Sequence, residues 1–145
     1  MNLSAHFHGR SKFMISLDQT DAEQDAIQPL LNKISKNSDH VITLDHLLNA
    51  WSLFVARLTI GYNSTAYEYA NDLANRDILQ RILEESPDSL KVKLSPILRE
   101  LDDRFLEETY SVANQYYEGS ADWWRRIPFK ASPGLKNDLL AILSA

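Results

Sequence analysis

The chain has 145 residues, 44% of them hydrophobic and 10% aromatic, a composition that suits one globular domain with a single core. It has no cysteine, which excludes disulfides and thiolate zinc sites. Its net charge of −5 disfavours nucleic acid as a partner, because such binding requires a basic surface. The first residues do not resemble a secretory signal, and the most apolar stretch, residues 44–62, carries charges that a bilayer-spanning helix would not tolerate. We therefore expect a soluble, cytoplasmic protein.

The hydrophobic pattern predicts an all-α fold, a single compact bundle of about five to seven helices covering residues 1–145. Residues 1–17 form an N-terminal arm of ambiguous structure, because Phe13, Ile15 and Leu17 alternate like a short strand. We expect this arm to be irregular or extended and to pack on the bundle.

The first two helices are predicted within residues 20–36 and over residues 44–62. Pro29 should kink the first helix without ending it, since the apolar stripe continues past it. Thr43 is predicted to cap the second helix, and Gly61 and Asn63 are predicted to close it. The second helix is apolar nearly all round, which is typical of a central position. The inner face of the first helix should carry Ala22, Ala26, Ile27, Leu30, Leu31 and Ile34.

A third helical region covers residues 65–85. Either Asn63 or Ser64 is predicted to cap its start. Asn75 and Asp77 could interrupt it, so the pattern leaves open whether the region forms one helix or two.

Serine–proline pairs indicate further helix starts, because serine favours the N-cap and proline the first helical position. Ser86–Pro87 predicts a short helix over residues 87–94. Ser95–Pro96 predicts a longer one over residues 96–117. A last helix is predicted within residues 132–145.

Acidic side chains crowd one side of the predicted long helix. Glu100, Asp103 and Glu107 point away from its apolar stripe, and Asp102 and Glu108 join them. Inward-pointing carboxylates could form a metal or acid/base site, but outward-pointing ones are typical of a solvated face. Like charges this close repel each other mildly, and a basic partner would relieve that repulsion.

Two further groups are candidates for partner contact. Glu68 and Asp72 form a second acidic pair beside Tyr67, a combination that suits an interface with a basic protein, although Tyr67 could instead pack on a neighbouring helix. Adjacent tryptophans cannot both face the core of a regular segment, so we expect one to be buried and the other to cover an edge beneath an arginine. The run is either a clamp for the last helix or an interface hot spot. Its residues are Trp123, Trp124, Arg125 and Arg126.

Chemistry-bearing motifs are missing from the sequence. No phosphate-binding, dinucleotide-binding or nucleophile-elbow pattern occurs. His6, His8, His40 and His46 do not have the spacing of a metal site. We predict no catalytic residues, no metal and no cofactor, and a protein that is not an enzyme.

In size, acidity and helical make-up the chain resembles small bacterial immunity or inhibitor proteins, which bind and neutralise a toxin domain. This resemblance rests on composition. It implies a non-enzymatic module whose acidic face binds another protein with a basic surface. One alternative is a self-associating bundle, in which the basic C-terminal residues 123–145 of one copy meet the acidic long helix of a second copy. Another is a ligand binder or enzyme with a pocket between helices, near His46, Tyr110 or Trp123.

Overall fold

A computed structural model describes residues 14–112 and 122–144. Within these ranges the chain forms five α-helices and one two-stranded sheet, which confirms the all-α bundle. The elements are α1 (Asp21–Ser35), α2 (Leu44–Ile60), α3 (Ala66–Glu85), α4 (Asp88–Glu107), β1 (Thr109–Ser111), a 3-10 helix (Asp122–Arg125), β2 (Arg126–Pro128) and α5 (Pro133–Ser144).

The described part of the N-terminal arm lies against α2 without regular secondary structure. Ile15 and Leu17 are buried, whereas Met14 before them and Ser16 between them are exposed. The predicted alternation is therefore confirmed for these residues. Phe13 and the rest of the arm lie outside the described residues.

Helix α1 begins with a capping box, in which Thr20 and Glu23 each accept a hydrogen bond from the other's backbone amide. The helix runs as one element through Pro29, whose exposed position lets water solvate the carbonyl that proline leaves unpaired. The predicted inner face was partly wrong, because Ala22 and Ala26 are exposed and Glu23 is buried instead. Burial of a carboxylate is tolerated here because it is fully hydrogen-bonded.

Helix α2 has Thr43 at its N-cap and Gly61 at its C-cap, as predicted. The Thr43 hydroxyl accepts a hydrogen bond from the amide of His46, and Gly61 follows the last turn with a φ of 138°, a conformation that glycine adopts without strain. The helix packs against both α3 and α4, which agrees with a central position. Its outer side is open, however, since Leu53 and Ile60 are exposed.

Helix α3 is one continuous element of 20 residues, which decides between the one-helix and two-helix alternatives. The predicted caps Asn63 and Ser64 were wrong. The cap is Thr65, whose hydroxyl accepts a hydrogen bond from the amide of Glu68.

Helix α4 is also continuous, so the helix start predicted at Ser95–Pro96 was wrong. A helix does begin after Ser86–Pro87, at Asp88, but its cap and its predicted end at residue 94 were wrong. Ser86 closes α3, where its hydroxyl donates to the carbonyl oxygen of Ile82, and Pro87 occupies the N-cap of α4 without a side-chain cap bond. Pro96 lies inside the helix on its exposed side. Proline has no N–H, so Pro96 leaves the carbonyl of Val92 without its helical hydrogen bond. Val92 as a residue is 74% exposed, so water can reach this carbonyl and the missing bond does not end the helix.

The end of α4 and the strands after it depart from the predicted helix 96–117. The Thr109 hydroxyl donates to the carbonyl oxygen of Phe105, and the chain then becomes extended. Tyr110 pairs with Ile127 in the antiparallel register of β1 and β2. Residues 113–117 lie outside the described residues.

Aromatic rings from three helices and the loop after α2 fill the centre of the bundle. Phe54 has ring centroids of four other aromatic residues within 5.1 to 6.1 Å, a separation at which aromatic pairs stabilise a core. The other rings are Trp51, Tyr62, Tyr69 and Phe105. None of the helices in the described part of the chain is both long and apolar enough to cross a membrane.

Candidate functional site

The hairpin of α3 and α4 brings the start of one helix beside the end of the other. The Tyr69 hydroxyl in α3 donates to the carbonyl oxygen of Arg126 at 2.7 Å. The Arg126 guanidinium in turn donates to the carbonyl oxygen of Leu106, in the last turn of α4, at 3.1 Å. Residues near position 68 and residues near position 107 therefore lie at the same end of the molecule, although they are far apart in sequence.

Four of the predicted partner-binding residues are exposed at this end. Tyr67 is 70% exposed, and the side chains of Glu68, Asp103 and Glu107 are exposed as well. Among residues 14–112 and 122–144, no cation forms an ion pair with these three carboxylates. We call Tyr67, Glu68, Asp103 and Glu107 the acidic end.

Two other predicted acids are already paired. Glu100 contacts Arg104 at 3.3 Å, and Glu108 contacts Lys130 at 3.8 Å. Exposed pairs of this kind stabilise little, but they reduce the negative charge that a partner would encounter.

Asp72 is partly buried and accepts a 2.6 Å hydrogen bond from the Tyr62 hydroxyl. Burial raises the pKa of the Asp72 carboxyl, and the hydrogen bond from Tyr62 opposes this rise. Burial also raises the pKa of Tyr62, with Asp72 adding to the effect. Asp72 thus has an internal partner, in contrast to its neighbour Glu68.

Asp102 does not belong to an outward acidic patch, contrary to the sequence prediction. Its carboxylate accepts the indole N–H of Trp51 at 3.1 Å and two guanidinium N–H groups of Arg76 at 2.9 and 2.8 Å. The Arg76 side chain is only 5% exposed. The helix turns this carboxylate toward the core, where it neutralises a buried arginine.

The tryptophan pair connects the segment before β2 to α3. Trp124 is buried and Trp123 is half-buried, which confirms that one is buried and the other covers an edge. Both indole N–H groups donate to the Asp77 carboxylate, each at 2.8 Å. The arginine over Trp123 is Arg76, whose Cζ lies 4.5 Å from the ring centroid. Arg125 remains exposed.

The basic C-terminal residues meet the end of α4 within a single chain. The Arg126 guanidinium donates to Thr109 as well as to Leu106, and Lys130 reaches Glu108. The contact that the self-association hypothesis places between two copies is therefore also made inside one copy.

A cleft of about 320 Å³ lies between α1 and the start of α2. His46 follows the lining residue Asp45 in the chain, and its ring contacts that of His40 with centroids 5.2 Å apart. The lining is mixed, with neutral amides and one carboxylate around an apolar floor. Its residues are Gln19, Gln24, Ile27, Gln28, Leu31, Val41, Ile42, Thr43, Leu44 and Asp45.

In the described ranges, no group of three or more histidine or carboxylate side chains could hold a metal ion. Comparison with protein-family models, curated proteins and solved structures gives no match for this chain. The internal partners Arg76, Asp77 and Asn49 were missed in the sequence, where nothing distinguishes them from solvated polar residues.

Proposed function

We propose that the chain is a non-enzymatic protein-binding module whose acidic end binds a basic surface of another protein. The observation that carries this proposal is that Glu68, near the start of α3, and Asp103 and Glu107, near the end of α4, are exposed at one end of the molecule and have no ion-pair partner among the described residues. Other acids, such as Asp72 and Asp102, form hydrogen bonds inside the protein, whereas these three carboxylates are exposed to solvent.

Physical chemistry supports such a surface as a docking site. Clustered carboxylates attract a basic partner over several ångströms and accelerate association, an effect that salt screens. Tyr67 adds a rigid aromatic side chain that can fill a pocket on the partner, as interface hot spots do. In its most specific form, the proposal is that the chain is an immunity-type inhibitor and the partner a basic toxin domain.

The test compares two triple variants of equal charge. In the first, Glu68, Asp103 and Glu107 are replaced by lysine. In the second, which serves as the control, three exposed acids away from the acidic end are replaced by lysine; they are Asp25, Glu84 and Glu85. Each protein is immobilised and used to capture partners from a lysate of the source organism.

We expect a basic protein that the wild type and the control variant retain and that the acidic-end variant loses. Its association rate constant, measured by surface plasmon resonance, should fall at least tenfold between about 50 and 300 mM salt, because screening weakens steering. An acidic partner, or equal binding by both variants, would contradict the proposal.

A further inference from the structure

We draw no further inference here: the strongest candidate, the cleft between α1 and the start of α2 with the adjoining groove in which Asn49 holds the backbone of Ile15, carries nothing, because the chain's own residues 14–17 occupy the groove and nothing in the described residues shows what would bind in the cleft.

Discussion

At the scale of single residues, Asp102 shows how the surroundings of an acid determine its role. The sequence places it among solvated carboxylates, yet its two oxygens bind Trp51 and Arg76. Arg76 depends on this contact, because its remaining terminal nitrogen, Nη1, is buried and has no hydrogen-bond partner. A buried guanidinium without a carboxylate is costly, since it loses hydration and gains nothing in return.

Replacement of Asp102 by alanine should therefore lower the free energy of unfolding by about 3 kcal/mol, the low end for breaking a buried ion pair. The low end applies because the Asp102 side chain is 29% exposed and water can enter the space. Urea unfolding measures the change. The control Glu100→Ala removes an exposed pair and should cost under about 0.5 kcal/mol. An equal decrease in the free energy of unfolding for both variants would show that the Asp102 carboxylate does not stabilise the buried Arg76.

At the scale of elements, the two limits of α2 were predictable because they are set by local contacts, whereas the end of α4 was not, because it depends on a distant one. Thr43 and Gly61 act on the turns next to them, and their roles could be derived from the sequence. The end of α4 depends on Arg126, which donates to carbonyl oxygens of Leu106 and Thr109 from about 20 positions along the chain. No local pattern could have revealed that contact.

The start of α3 gives a direct test of a corrected cap. Thr65→Ala should lower the free energy of unfolding by about 1 kcal/mol, because it removes the acceptor for the amide of Glu68. Thermal unfolding of Asn63→Ala supplies the control. Asn63 is exposed and was one of the two caps predicted from sequence, and its replacement should leave the melting temperature nearly unchanged. A larger loss of stability in Asn63→Ala than in Thr65→Ala would show that Asn63, the residue predicted from the sequence, is the cap.

At the scale of the whole molecule, the apolar faces were largely predictable but the polar contacts between elements were not. Leu47, Leu48 and Leu101 are buried as helical spacing requires. The contact between Glu23 and Lys93 joins residues 70 positions apart in the chain. Hydrophobic periodicity does not indicate which polar residues, expected at the surface, contact each other in the fold. The acids of the acidic end could be predicted one by one, whereas their place at one end of the molecule follows from the α3–α4 hairpin.

Glu23 attaches α1 to α4 and makes stability depend on pH. Hydrogen bonds from Lys93, Ser89 and the backbone of Thr20 lower the pKa of its carboxyl from 4.5 to about 2. A carboxyl whose pKa is lower in the folded state stabilises the protein above its unfolded value and loses this contribution as the pH falls. Glu23 should therefore stabilise the bundle fully above pH 4.5 and progressively less toward pH 2.

Urea unfolding of the wild type and of Glu23→Gln between pH 6 and pH 2 measures this contribution. The wild type should be the more stable protein at pH 6, and the difference between the two should shrink below pH 4.5. A difference that stays constant over the whole range would mean that the ionised form of Glu23 is not the one that stabilises the fold.

All three tryptophans of the chain belong to one connected group. Trp51 binds the carboxylate that holds Arg76, and Trp123 and Trp124 bind the neighbouring Asp77. Intrinsic fluorescence of this protein therefore reports on a single junction, where α2, α3, α4 and the segment before β2 meet. It carries no direct signal from α1 or the N-terminal arm, which contain no tryptophan. A denaturant titration followed by tryptophan fluorescence would therefore not detect unfolding that is confined to α1 and the arm.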